Sequence, residues 1–326
     1  MKKSIGIGLA LVLWLTASPV RSQEKVRFVL DWVIAGRHTA YYVAIEKGYW
    51  KKAGLDIRMT RGFGGANTVK SVAGGLADVG KASAGPALVA RAKGTPIKIV
   101  SIVYGKAPFM MVSKKKTGVR NPKDLEGKTI GAAAGDANRF VFPALAAIAG
   151  IDESKVKWVT MSPSAKTPSL LSDKVDVIVH FAFEKVKFEM FEAKHGNFNI
   201  MMYSDYGLDM YSIGLLTLDS YIRAKPNVLR AFVHGAMRAY AWTLKHPKEA
   251  NRIFSKHQPT LSKKIALREL GIVRELVLTE EAKKHCIGWI NAEKLARTRD
   301  ILFKALHVKE TLDIKGAYTT KFLPCG

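Results

Sequence analysis

Asp31, Trp32, Arg37 and His38 fall within the ten residues LDWVIAGRHT. Such a set can do one of two things. It can move protons around His38, or it can grip a ligand, with Trp32 stacked on a flat ring and Arg37 and His38 donating hydrogen bonds. Later stretches offer partners for either task. In VIVHFAFEKVKFE the rings of His180, Phe181 and Phe183 give flat surfaces, and Glu184 places a carboxylate near a helix start, where it is electrostatically tolerated. In RGFGGAN the amides of Gly64 and Gly65 can hold one anionic or carbonyl group, although the spacing is wrong for a pyrophosphate and a plain tight turn explains it equally well. Ser83, Asn138 and Tyr211 stand at the ends of expected elements and complete the set of candidate ligand contacts. Glu184 has an alternative role as a helix cap, His38 as a satisfied capping residue and Tyr211 as a core tyrosine.

Catalytic signatures are missing. The string KASAGP around Ser83 lacks the first glycine of a nucleophile elbow, and there is no H-E-x-x-H, P-loop or dinucleotide fingerprint. The cysteines, Cys286 and Cys325, have no metal-ligand spacing and the histidines are scattered, so neither a metal site nor a cofactor is expected.

The elements that must position these residues alternate short β-branched runs with helical segments, which predicts an α/β fold with largely parallel sheets. Strands are expected at 26–30, 55–60, 78–81 and 97–104, with helices between them. Tyr42, Ile45 and Tyr49 recur at helical spacing and read as core. The turn-rich stretch 113–128 reads as a crossing into a second lobe, and 205–207 as the return. The expected organisation is therefore a signal peptide at 1–22, a first lobe made of 23–112 plus 208–326 with a helical C-terminus, and a second lobe at 113–207. Two crossings make a hinge, with the ligand cleft between the lobes at the C-terminal ends of the strands.

Lys2 and Lys3, the apolar run from Ile5 to Leu15, Pro19 and the small residues before Ser22 form a secretory signal, with cleavage expected near Ser22. Loss of Lys2, Lys3 and Arg21 lowers the net charge from +25 to +22. The cations are spread along the chain and no nucleic-acid motif is present, so a solvated basic surface is the reading, with no nucleic-acid partner. In an oxidising compartment Cys286 and Cys325 can bridge, although spacing alone does not decide it.

The chain resembles the NMT1/THI5-like branch of the exported solute-binding proteins of ABC importers, from about Val26 to about Phe254. The motifs that carry the resemblance are LDW followed by HTAYYVAIEKGYWKKAGLDI, then GGLADVG, NPKDLEGKTIG and YIRAKPNVLRAFVHGAMRAYAWTLKHPKEA. It implies a two-lobed periplasmic-binding-protein fold of type II, a periplasmic location, a small-molecule ligand, an ABC permease as partner and a monomeric chain. Trp32 and His38 match the aromatic and the histidine of the family's first loop, and Phe183-Glu184 look like the pair that faces the ring in pyrimidine binders. Ile34-Ala35 and Arg37 depart from the pyrimidine pattern and favour a ligand with an anionic group. A planar or anionic organic solute is thus expected, with an alkanesulfonate or nitrate carrier as the alternative. The pyrimidine-synthesising enzymes of this branch use a cysteine-rich motif that this sequence lacks, so no enzyme activity is expected.

Overall fold

In the computed structural model residues 23–326 are described, and the expected signal peptide lies outside them. The first sheet contains β1 (Glu24–Val29), β2 (Leu55–Thr60), β3 (Val79–Ser83), β4 (Ile97–Ile102) and β10 (Ile213–Leu218), in the order β2-β1-β3-β10-β4. The second contains β5 (Phe109–Lys114), β6 (Thr129–Ala132), β7 (Lys157–Thr160), β8 (Val177–Phe181) and β9 (Phe198–Met202), in the order β7-β6-β8-β5-β9. Helices flank both sheets, so the α/β architecture with two lobes is as expected.

The sheets are mixed rather than largely parallel. β1 runs parallel to β2 and β3, but β10 is antiparallel to β3 and β4. In the second sheet β6 runs parallel to β7 and β8, and β5 is antiparallel to β8 and β9. The cause is the crossings. A strand reached through a helix re-enters its sheet in the same direction, whereas one arriving from the other lobe enters at the cleft end and must run the opposite way.

The first crossing also lies earlier than position 113. Gly105 and Pro108 break the chain after β4, and Phe109–Lys114 is already a buried strand between β8 and β9. The lysine triplet that suggested the crossing caps the far end of that strand, where Lys115–Thr117 make a short 3-10 turn.

The helix after His38 packs, but not on the face that the spacing of Tyr42, Ile45 and Tyr49 predicts: Tyr42 is buried and Tyr49 half-buried, whereas Ile45 is exposed, and every residue from Thr39 to Ala44 is buried. Tyr41 meets Phe28 and Tyr240 edge to face, and Trp50 stacks on Phe232 with its indole N–H donating to the Phe232 carbonyl at 2.9 Å. Gly235 allows this, because a Cβ there would sit 2.4 Å from Trp50 Cδ1. Cys286 and Cys325 are joined by a disulfide. It holds the tail against the open edge of β4, where the Ile102 N–H donates to the Gly288 carbonyl and the Thr319 N–H to the Ile99 carbonyl, both at 2.9 Å. An exposed sheet edge is thereby covered.

Candidate functional site

The chain leaves β1 at Leu30 and delivers Asp31 to the cleft end of the first sheet. Asp31 is buried between two cations and a histidine. Its Oδ1 accepts from Lys81 Nζ at 2.9 Å and from His38 Nε2 at 3.0 Å, and Oδ2 lies 4.0 Å from Arg37 Nε. Burial works to raise this carboxyl, but Lys81, the His38 hydrogen bond and Arg37 outweigh it and hold it well below the usual carboxylate range. The opposite side of His38 fixes its tautomer. Nδ1 accepts from the Ala35 N–H at 3.2 Å, so Nε2 carries the hydrogen that it donates to Asp31. Burial, with Lys81 adding to it, pushes the imidazole down to about 3 and keeps it neutral. Lys81 is itself pushed down to about 8, chiefly by burial, against the pull of Asp31.

Both ring nitrogens of His38 are therefore engaged beneath the cleft, and no part of the side chain reaches it. The expectation of a ligand contact there is replaced by a positioning role on Asp31.

The glycine loop likewise spends its amides internally. The Gly62 N–H donates to the Trp32 carbonyl at 3.1 Å and the Gly64 N–H to the Asp31 carbonyl at 2.9 Å. These bonds fix the strand end that carries Trp32, which leaves the Gly64 amide spoken for. A Cβ on Gly64, whose φ is +122°, would lie 2.0 Å from the Gly135 carbonyl oxygen of the second lobe. The loop thus makes a close contact between lobes. Gly65 instead packs on Ser83, its notional Cβ 3.3 Å from Oγ, and neither lines the cleft.

Between the lobes lies a cleft lined by Trp32 and Arg37 from the first lobe and by Asp136, Asn138, Lys166, His180, Phe181 and Glu184 from the second. Six of these, Trp32, Arg37, Asn138, His180, Phe181 and Glu184, are candidates named from sequence. Its interior volume is about 10 Å³, the space of a single water, so any ligand ring enters by the lobes parting. Phe183 is buried behind the wall, 5.7 Å from Phe181 and 5.3 Å from the Arg37 guanidinium carbon. Tyr211 is remote from the cleft: its hydroxyl donates to Glu281 Oε2 at 2.7 Å and accepts from the Asn291 N–H at 2.9 Å, fixing the C-terminal helices.

Charge in the cleft is paired throughout. Arg37 Nη1 donates across the lobes to Glu184 Oε1 at 3.5 Å, and Glu184 Oε2 accepts from Lys187 at 2.5 Å. Burial works to raise Glu184; Lys187 and Arg37 overcome it and keep the carboxylate ionised. His180 cannot share in this, because burial and Lys166 hold its imidazole neutral, well below its usual range. Lys166 Nζ donates to Asp136 Oδ2 at 2.8 Å and to the Val179 carbonyl at 2.7 Å, and sits 4.7 Å from the centre of the Trp32 ring. Asp136 caps the helix Ala137–Ala149, accepting from the Asn138 N–H at 3.0 Å and from Asn138 Nδ2 at 3.1 Å. The Asn138 Oδ1 in turn accepts from the Met110 N–H at 3.1 Å.

Asp136 and Lys166 were not expected in the site. Asp136 had a signal, an Asp just before a helix in GDANRF. Lys166 sits in a polar run, SPSAKTPS, that reads as surface, and only tertiary packing buries it. The arrangement offers an indole face, a phenyl ring, a neutral imidazole, unfilled guanidinium N–H groups and carboxylate acceptors. That inventory matches a flat ring bearing both donors and acceptors. Among the described residues no cluster of three or more metal-ligating side chains occurs.

A family model described as "NMT1/THI5 like" matches residues 35–250. The chain is 24% identical to the riboflavin-binding protein RibY of Chloroflexus aurantiacus over 95% of this chain and 90% of that one. It is 26% identical to the formylaminopyrimidine-binding protein of Halalkalibacterium halodurans, over 74% and 73% of the two chains. It is also 22% identical to the 4-amino-5-hydroxymethyl-2-methylpyrimidine phosphate synthase of Legionella pneumophila, over 93% of each. Among solved structures, the alkanesulfonate-binding protein SsuA from Xanthomonas axonopodis pv. citri superposes with a TM-score of 0.73 at 14% identity, covering 90% of this chain and 98% of that one.

Proposed function

The chain belongs to the NMT1/THI5-like family, and on that footing we propose that it is the solute-binding component of an ABC importer, closing over a small planar heterocycle and handing it to a membrane permease. The observation that carries this reading is the cleft itself, in which Trp32 of one lobe shares a cavity with His180 and Phe181 of the other while every charged group is already paired. Ligand contacts from both lobes stabilise the closed form, and the closed form is what the permease would recognise.

The pairing favours a pyrimidine-like ring over a sulfonate or nitrate. Arg37 and Lys166 are balanced by Glu184 and Asp136, so a bare anion would meet as much negative as positive charge. Relatives named for riboflavin and for a formylaminopyrimidine support a heterocycle. An enzyme of the synthase type fits less well: His38 is enclosed with both nitrogens engaged, and both cysteines are in the disulfide. That disulfide also suits an oxidising compartment, and export with cleavage near Ser22 agrees with it. No helix among the described residues is long and apolar enough to cross a membrane.

The test is thermal unfolding of residues 23–326 with riboflavin, a formylaminopyrimidine, 4-amino-5-hydroxymethyl-2-methylpyrimidine, MOPS and nitrate. A true ligand at a hundredfold excess over its Kd adds about 2.7 kcal/mol of stability. Stabilisation by nitrate or MOPS and by no heterocycle would overturn the ring reading, and turnover of a substrate would overturn the binding reading.

A further inference from the structure

A third carboxylate, after Asp31 and Glu184, reaches Arg37 from behind. Glu269 lies on the helix Lys263–Val277 of the first lobe, is 1% exposed, and its Oε2 accepts from the Arg37 backbone N–H at 3.0 Å. Gly36 permits the approach, because a Cβ there would fall 2.6 Å from Ala266 Cα and 2.8 Å from Glu269 Oε2. The same helix also packs on the turn Ala182–Glu184 and the helix Lys185–His195 of the second lobe. Two carboxylates from opposite lobes, Glu184 and Glu269, thus converge on one arginine in the closed form.

Glu184 has a second cation in Lys187, whereas Glu269 has only the backbone donor. The charged groups that reach Glu269 are Glu184 and Lys187 from the second lobe and Arg37 from its own. On the helix Pro247–His257 at its other flank, Glu249 pairs with Lys47, and Lys256 and His257 pair with Glu46. Burial first, and Glu184 second, raise the Glu269 carboxyl to about 7 in this closed arrangement. When the lobes part, Glu184 and the cover provided by the second lobe leave together, so both causes weaken.

We propose that Glu269 is a proton-carrying positioning residue: closure of the cleft takes up one proton on Glu269, and opening releases it. The inference rests on the reading of the cleft as a binding site that opens and closes. A group whose affinity for protons is higher in the closed form favours closure as pH falls. Between about pH 5 and 7 the closed-to-open ratio rises by up to about tenfold per unit of acidification, and it levels off above the closed-state value. Capture of solute is therefore favoured on the acidic side and release on the alkaline side.

The experiment places fluorophores on cysteines introduced at the exposed Lys70 and Lys157, one on each lobe, and follows the distance between them from pH 5 to pH 8. The wild-type chain is expected to be more closed at pH 5.5 than at pH 8. In Glu269→Gln, where a neutral amide still accepts from the Arg37 N–H, closure at pH 8 is expected to match the wild type at pH 5.5 without pH dependence. A wild-type profile retained in Glu269→Gln, or no profile in the wild type, overturns the proposal. If Glu269→Gln does not fold, Glu184→Gln serves instead: removal of its charge is expected to move the midpoint to lower pH, and an unmoved midpoint overturns the proposal. Calorimetry with riboflavin and with 4-amino-5-hydroxymethyl-2-methylpyrimidine in two buffers of different ionisation enthalpy counts protons per probe bound. Uptake approaching one at pH 6 supports the proposal, and binding without uptake overturns it. A pH-dependent distance with no binding of any probe supports the proton coupling and counts against the binding function alone.

Discussion

Replacing Lys166 by Met removes the ammonium that joins Asp136, the Val179 carbonyl and the Trp32 ring while keeping most of the aliphatic volume. Lys166 is 1% exposed and Asp136 3%, so neither group is relieved by water when the pair is broken. Loss of one partner of a buried ion pair costs about 3–5 kcal/mol. Asp136 keeps two donors from Asn138 on Oδ1, which puts the expected cost near the lower end, about 3 kcal/mol. Asp136→Asn alone strands the ammonium and is expected to cost a similar amount. The double variant removes both charges, so its cost should fall short of the sum by about 2 kcal/mol or more. The assay is urea unfolding followed by near- and far-UV circular dichroism, with stability taken from midpoint and slope where the two transitions coincide. A cost below about 1 kcal/mol for Lys166→Met, or additivity within about 0.5 kcal/mol, would show that the pair is not the buried linkage described.

Gly135→Ala adds a methyl group whose nearest atoms all belong to the other lobe, Asn67 Nδ2 at 2.8 Å, Asn67 Cγ at 3.0 Å and the Phe63 carbonyl oxygen at 3.2 Å. Folding stability should be unchanged while probe affinity drops by about 1 kcal/mol in calorimetry, a small penalty because the Asn67 side chain can give. Trp32→Ala should weaken a heterocyclic probe by roughly 1–3 kcal/mol and an inorganic anion much less, measured by the same titration. Reduction of the Cys286–Cys325 bridge, which closes a span of 39 positions, should lower unfolding free energy by about 2–4 kcal/mol in urea titrations with and without reductant. His38 binds a proton far less readily folded than unfolded, so its contribution is full above about pH 6.5 and is lost as pH falls toward 3. Glu269 acts in the opposite sense between about pH 4.5 and 7. His180, which burial and Lys166 hold well below its usual range, acts in the same sense as His38, so wild-type stability should fall by up to about 1.4 kcal/mol per unit of acidification below pH 6.5 and that of Glu269→Gln by up to about 2.8 kcal/mol.

What could be read from the chain depended on whether the cause was local. The helix after His38 is buried over six consecutive residues, so the spacing of Tyr42, Ile45 and Tyr49 does not mark its face and Ile45 comes out exposed. The strand-to-helix junctions at Trp32 and Glu184, in contrast, follow from alternation of elements, which brings Trp32, Arg37, His180 and Glu184 to the cleft. The antiparallel strand Phe109–Lys114 carried no such mark. Its direction depends on the crossing, a fact of topology, and the lysine triplet offers a boundary that outweighs the shorter break at Gly105 and Pro108.

Lys166 and Glu269 escaped for a different reason. A lysine in a polar run and a glutamate on an amphipathic helix have the local pattern of solvated groups, and each is buried only because a residue distant in sequence arrives with compensating hydrogen bonds. His38 erred in the other direction: its type suggests exposed chemistry, yet Ala35 and Asp31 satisfy both of its nitrogens within seven residues. These three side chains share a consequence. Arg37, the residue that departs from the pyrimidine pattern, looks in sequence like a free cation waiting for an anionic ligand. In the fold its guanidinium lies between Asp31 and Glu184, so its charge is offset before any solute arrives, and what it offers a ligand is hydrogen-bond direction rather than net charge. A site whose cations are neutralised from within discriminates by shape and donor pattern, and that is the physical ground for preferring a neutral ring to an anion in this cleft.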